Sequence, residues 1–211
     1  MWKNAPKIDK SIYVEVGANI GSCVMEMLLS TNAKIITFEP HPRNLFAMQN
    51  SIAALDQQYQ DRVVIVPVAL GGESAENIIY AAEGNMGNSN IGMIVRDNRK
   101  QVFQKEEQHT IRVERLDSII SSEYSDIAVM KLDAEGFECH ILEGIGQDLA
   151  NKLQKVKFEV DQNHLGKQKC TDLLTRFRDK GFDIKTDDEK KDIGSGDIDQ
   201  FNRKLELIAV R

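Results

Sequence analysis

Cysteine is scarce and unpatterned in this 211-residue chain: Cys23, Cys139 and Cys170 are odd in number and form no C-x-x-C pair, which argues against a disulfide framework and a cysteine zinc cluster. No apolar run approaches the roughly 18 residues of a membrane-spanning helix. The opening residues Met1 to Pro6 lack the apolar core of a secretory leader, so a cytoplasmic protein is expected. A basic excess is missing too. The net charge of −6 weighs against nonspecific binding to nucleic acid or an anionic membrane and favours a small acceptor molecule as partner. The histidines His41, His109, His140 and His164 show no metal-ligand spacing. No residue is assigned to a metal, although Asp133 with Glu159 would be the oxygen ligands for Mg²⁺ if one were used. With 41% hydrophobic and 28% charged residues, the chain has the composition of an ordinary globular protein, and its length suits one domain spanning residues 1–211.

The organising stretch is Tyr13-Val14-Glu15-Val16-Gly17-Ala18-Asn19-Ile20-Gly21-Ser22. A β-branched run containing an acid breaks at two glycines and passes into a helical pattern, which reads as strand, tight turn, helix. Glycine permits positive φ and close approach of a ligand to the backbone. The turn is expected to expose its amides, and the helix start to offer N–H groups and a positive dipole end to a carboxylate or anion. Asn19 stands where the dinucleotide fingerprint places its second glycine, so G-x-G-x-x-G is absent and binding of NAD loses its main support.

Further along, residues 34–39 read as a second strand ending in Glu39, about 20 residues beyond the turn, where parallel βαβ folds place a carboxylate for ribose hydroxyls. Pro40 and Pro42 end that strand and start a helix over 44–48. The apolar run 63–70 predicts an inner parallel strand covered on both faces. A weaker strand over 77–81 leads to a glycine- and asparagine-rich surface loop at 84–92 and a polar stretch to Gln108. A short strand is expected at 111–116, with Asp117 capping a helix over 118–122. Residues 126–133 form the central strand, 134–144 a loop that becomes a helix, and 156–160 the next strand. A helix over 171–180 stops at Gly181, and 182–185 with 205–210 make an antiparallel edge hairpin. Met25, Met27 and Phe46 belong to apolar helix faces and are expected in the core. Alternating strands and helices predict an α/β fold, a three-layer α/β/α sandwich.

Four stretches carry a resemblance to a known family: Val14-Glu15-Val16-Gly17-Ala18-Asn19-Ile20-Gly21, Thr37-Phe38-Glu39-Pro40-His41-Pro42, Val113-Glu114-Arg115-Leu116-Asp117 and, most specific, Met130-Lys131-Leu132-Asp133-Ala134-Glu135-Gly136-Phe137-Glu138. The chain resembles the FkbM family of class I S-adenosylmethionine-dependent methyltransferases. That resemblance implies a Rossmann-like, doubly wound, mostly parallel sheet with an antiparallel C-terminal edge hairpin. It implies S-adenosyl-L-methionine as cofactor and O-methylation of a small-molecule, sugar or lipid hydroxyl. Glu15, Gly17, Asn19 and Gly21 would surround the methionine part, Glu39 and Pro40 the ribose end, and Asp133 and Glu135 the reacting methyl. The family's N-terminal extension is expected to be lacking, leaving acceptor recognition to the later loops.

Each residue also has a bland reading. Glu39 is a solvated strand end if it is not the ribose acceptor, and Glu15 either braces the turn or touches ligand. The charges of Lys131, Asp133, Glu135 and Glu138 after an apolar strand must pair, meet solvent in a cleft or hold a ligand. His164, in a loop expected at the carboxyl end of a strand, is the histidine placed best for acid–base work, whereas His140 reads as a packed or surface residue. Two other functions compete: an NAD-binding oxidoreductase on the same fold, and a noncatalytic binding protein that retains the pocket.

Overall fold

The structure is a computed structural model and describes residues 11–82, 85–91, 107–120, 124, 127–160, 166–187, 190–194 and 205–211. The first half runs β1 (Ile12–Val16), α1 (Ser22–Ser30), β2 (Lys34–Phe38), α2 (Pro42–Ala53), α3 (Gln57–Gln60) and β3 (Val63–Val66). An insertion follows: β4 (Ala69–Leu70), β5 (Ala75–Ala82), β6 (Asn85–Ile91) and β7 (Glu107–Glu114). The second half is α4 (Leu116–Ile119), β8 (Ile127–Leu132), α5 (Glu138–Glu143), α6 (Gln147–Ala150), β9 (Leu153–Val160), α7 (Lys167–Asp179), β10 (Asp183–Thr186) and β11 (Leu205–Val210).

Seven strands pair in the order β10-β11-β9-β8-β1-β2-β3. All neighbours from β9 to β3 are parallel, and β11 runs antiparallel to both β9 and β10. The sheet is therefore doubly wound and mostly parallel with an antiparallel edge hairpin, as the family resemblance implied. Every residue of β1 is buried, even Tyr13 and Glu15, because helices cover both faces. Side-chain alternation sorts the core into two clusters. Tyr13, Ile35 and Val129 meet Val24, Met27 and Leu28 of α1 and Met48 and Ile52 of α2 on one face. Val14, Ile36, Met130 and Phe158 meet Ile141, Leu142, Leu173 and Phe177 on the other. Phe158 stacks on Phe177 with ring centroids 4.3 Å apart. Helix α7 ends as the sequence suggests: Gly181 has φ +84, with its N–H bonded to Arg178 O and that of Phe182 to Phe177 O. Among the described residues no helix is long and apolar enough to cross a membrane.

Several local expectations need correction. The apolar run 63–70 is not one inner strand. Pro67 interrupts it, β3 lies at the open edge of the large sheet with Val64 53% exposed, and Ala69–Leu70 leaves to join a separate four-stranded sheet, β4-β7-β5-β6. Residues Asn85–Ile91, expected as loop, form β6 antiparallel to β5, because register with a partner overrides weak strand propensity. Residues 92–106 lie outside the described residues. Asp117 does not cap a helix. It sits within α4, and its carboxylate accepts from Arg115 Nε at 2.9 Å and from Gly146 N at 3.0 Å, tying α4 to the start of α6. Met27 is core, but Met25 is only partly buried and Phe46 is 70% exposed, since α2 turns Asn44, Met48 and Ile52 inward instead.

Candidate active site

Strands β1, β2 and β8 end side by side, and their carboxyl ends open into a cavity of about 530 Å³. That places it at the switch point where strand order reverses from β1, between β2 on one side and β8 on the other. Glu15, Gly17, Asn19, Glu39, Pro40, Asp133 and Glu135 all line it, so seven of the nine residues singled out as catalytic or cofactor-binding converge here. Gly21 does not line it. A Cβ there would lie 2.7 Å from Met48 Cγ, so Gly21, at φ +87, is required by the packing of the turn on α2. His164 lies outside the described residues.

The turn differs from the cradle of exposed amides that its glycines suggest. Gly17 N and Ala18 N donate to Phe38 O at 3.0 and 3.1 Å, Gly21 N to Ala18 O at 2.9 Å, and Asn19 N to Glu39 Oε2 at 2.8 Å. Ile20 N bonds to the side chain of Asn19, which takes a left-handed φ of 54. The backbone donors of the turn are thus spent on shaping it. Gly17 is needed because a Cβ would sit 1.9 Å from the carbonyl oxygen of Asp133, just past the neighbouring strand β8. The next element instead presents its start to the cavity: no side chain caps the nine-residue α1, and its first-turn residues Ser22 and Cys23 line the cavity.

Glu39 is 4% exposed and accepts from three protein donors, Asn19 N, His41 N at 2.9 Å and Asn44 Nδ2 at 3.2 Å. Burial raises its carboxyl above the usual range, and these hydrogen bonds oppose the shift. A carboxylate offers about four lone-pair sites, so one acceptor position is left toward the cavity. Glu39 is therefore not the solvated strand end of its bland reading but a buried acceptor at the cavity wall. Asn44, buried at the start of α2, is a lining residue that sequence reasoning passed over; the signal was a polar residue on the inward face of an amphipathic helix.

Facing this corner is a charged one. Glu15, 1% exposed, accepts from Tyr13 OH at 3.1 Å and lies 3.7 Å from Lys131 Nζ, its cross-strand partner in the β1–β8 register. Burial pushes its carboxyl up to about 7 against the pull of Lys131 and Tyr13. Lys131 Nζ also donates to Asp133 Oδ2 at 3.0 Å. Burial alone would lower the ammonium, but Asp133 and Glu15 more than offset it and leave it raised. Asp133 is the more open partner, with 38% of its side chain exposed toward the cavity. Glu138 has a different job. Buried at the start of α5, it accepts from Ala134 N at 2.9 Å and Gly136 N at 3.2 Å and so clamps the loop that carries Asp133 and Glu135. That loop holds consecutive left-handed residues, Glu135 at φ 49 and Gly136 at φ 97, a strain of the kind that gathers at functional sites. Among the described residues no three His, Cys, Asp or Glu side chains gather as a metal cluster.

Comparison with known proteins gives the family of the chain. The methyltransferase FkbM domain matches residues 15–184, which include both edges of the cavity. The chain belongs to the FkbM methyltransferase family. As a member it has the fold and the cofactor class of S-adenosylmethionine-dependent methyltransferases, and the nicotinamide reading is set aside. No curated protein matches the FkbM-family chain in sequence. Similar solved structures include a candidate rRNA methylase from Clostridium thermocellum, at 8% identity and TM-score 0.54 over 96% of this chain and 88% of that one. A candidate methyltransferase from Streptococcus mutans in complex with SAH matches at 8% identity and TM-score 0.52 over 96% and 89%. The Methanococcus jannaschii fibrillarin pre-rRNA processing protein matches at 9% and TM-score 0.51 over 97% and 68%. At such identities the likeness concerns the fold alone.

Proposed function

We propose that this FkbM-family protein transfers the methyl group of S-adenosylmethionine to a hydroxyl oxygen of a small acceptor. The observation that carries the reading is the convergence of Glu15, Glu39 and Asp133, from three neighbouring strands, on one cavity of about 530 Å³, a size ordinary for cofactor pockets. The residues present fit the cofactor. Glu39 keeps an acceptor position for ribose hydroxyls beside Pro40, the uncapped start of α1 suits the methionine carboxylate, and the acidic Glu15–Asp133 side suits the ammonium and sulfonium charges.

When bound, the cofactor supplies an electrophilic methyl on a positively charged sulfur. The chain's own part is positioning and proton removal. Asp133, fixed through its N–H to Val16 O at 3.1 Å and through its carboxylate to Lys131, takes the proton of the acceptor hydroxyl as the new C–O bond forms and the C–S bond breaks. Glu135, on the strained turn at the cavity rim, orients the acceptor. A polyanionic acceptor is disfavoured by the acidic rim and the net charge of −6, although two structural neighbours are named for rRNA.

Titration calorimetry with S-adenosylmethionine, S-adenosylhomocysteine and NAD tests the cofactor. Binding of the first two and not the third is expected, and the reverse order sinks the proposal. Tritiated methyl transfer into fractionated cell extracts then tests the acceptor, with label expected in small alkali-stable molecules and not in RNA.

A further inference from the structure

Charge does not balance where β1 and β8 end. Among the described residues Lys131 is the one ammonium set between two carboxylates, and it is committed unequally: Nζ donates to Asp133 Oδ2 at 3.0 Å but stands 3.7 Å from Glu15 Oε1, beyond hydrogen-bond reach. Glu15 Oε2 accepts from Tyr13 OH at 3.1 Å, a neutral donor. Asp133 shares its charge with water, because 38% of its side chain is exposed. Glu15, at 1%, has no such outlet. Once ionised it is a buried charge with part of a counterion, which is costly.

The other groups that face Glu15 do not supply the missing charge. Thr37, its register neighbour on β2, is uncharged, and its hydroxyl meets no partner among the described residues. Cys23 of α1 has its thiol pushed up by burial and by Glu15 itself, and so stays neutral. Tyr13 is held neutral for the same reasons. Glu26 of α1 adds only to the negative side, pushing up both Tyr13 and Cys23. Glu39 and Glu135, the remaining acids of the cavity wall, offer no cation either.

Glu15 lines the cavity, so the matching charge can come from what binds there. The unbalanced end is also the end that holds Asp133, where the proposed transfer takes place. A sulfonium methyl donor carries a positive sulfur, whereas the product left after transfer carries an uncharged thioether at the same point.

We propose that Glu15 is the residue through which the cavity selects the charged methyl donor over its spent product, the donor's sulfonium completing the counterion that Lys131 supplies in part. The assignment rests on the methyltransferase reading above and deepens it, since loss of the methyl then loosens the hold of the site on what remains. Linkage fixes the sign. Burial holds the Glu15 carboxyl at about 7 in this structure, and a second positive charge nearby lowers it. Donor binding therefore releases a proton near and just below pH 7, and product binding releases less. By reciprocity the preference for donor is full above about 7 and fades as pH falls through that value.

Titration calorimetry at about pH 6.5, in two buffers of different ionisation heat, counts the protons released. The probes are S-adenosylmethionine, S-adenosylhomocysteine and the analogue in which a protonated amine replaces the sulfonium. The two cationic probes are expected to release more protons than the thioether, and the difference should vanish in Glu15→Gln, which keeps an acceptor for Tyr13 OH. In that variant the ratio of product to donor dissociation constants should fall about tenfold, the scale of one pKa unit. Titration of the ligands themselves is common to both proteins and cancels. Tyr13→Phe is the second variant: it removes a hydrogen bond that favours the ionised Glu15, so the pH at which the preference fades should move upward, which a purely structural role would not produce. Equal proton release by donor and product in the wild type, an undiminished preference for donor in folded Glu15→Gln, or an unmoved midpoint in Tyr13→Phe overturns the proposal. If neither donor nor product binds, the methyltransferase reading fails and this one with it, whereas binding of both with no preference for charge defeats only this one.

Discussion

Asp133 and Glu39 are both acids at strand ends, yet their surroundings give them different sensitivities. Asp133→Asn keeps the shape of the side chain, and Lys131 retains Glu15 at 3.7 Å, so the loss of a partly exposed ion pair should change stability by less than about 1 kcal/mol. Turnover should fall about a hundredfold or more if Asp133 is the base. Melting temperature and rate measured on one preparation check this, and a variant with normal turnover would move the base elsewhere. Glu39→Ala strands two backbone amides and the Asn44 amide, each orphan costing about 1–3 kcal/mol, and should also weaken S-adenosylmethionine binding about ten- to a hundredfold. An unchanged dissociation constant in a folded variant would confine Glu39 to bracing. Glu15 should leave a mark on the pH dependence of stability. Its carboxyl ionises near 7 in the fold against an ordinary value of 4.5, so the folded chain holds a proton that the unfolded chain has lost across that window. The stabilisation is complete below about 4.5 and disappears as pH rises through about 7. Glu39 and Glu138, also raised by burial, add to the same slope. Glu15→Gln should therefore flatten, not abolish, the decline seen in denaturation between those pH values, and an unaltered profile would show that Glu15 ionises normally.

At the scale of elements, the contact between the β1 turn and the chain leaving β8 is the seam on which the site depends. Asp133 N bonds to Val16 O, and a Cβ on Gly17 would strike Asp133 O. Gly17→Ala combines that overlap with a positive φ of 79 and should cost about 2–4 kcal/mol while moving Asp133 away from β1. Equilibrium denaturation measures the first effect and cofactor calorimetry the second; a variant as stable as the parent would mean that the seam can open without penalty. The sequence made the glycine legible but suggested a ligand beneath it. The true neighbour is backbone from a strand more than a hundred residues away, which no local pattern reveals. The same holds for Glu138, whose place in the K-x-D-x-E-G-x-E motif suggested chemistry and whose hydrogen bonds to Ala134 N and Gly136 N show loop clamping.

Across the whole molecule, cofactor binding should be visible as stability, because a ligand held only by the folded state adds about 2.7 kcal/mol at a hundred times its dissociation constant. For a chain of this length that corresponds to a rise in melting temperature of about 5–10 °C with S-adenosylmethionine, and none with NAD. A thermal scan showing no shift with S-adenosylmethionine at that excess would contradict the proposed cofactor. Residue order alone decided the α/β sandwich, the central place of β8, the antiparallel edge and the stretches that line most of the cavity, because these follow from local periodicity, from glycine and proline, and from acids at the ends of apolar runs. It did not decide where apolar runs go when two sheets compete for them. Residues 63–70 look like one inner strand, yet Pro67 divides them between an open edge and the inserted sheet. Nor did it decide what the turn's amides bond to or which cations meet which acids. Those are contacts between segments far apart in the chain, and their energies exist only once the strands that carry them lie side by side.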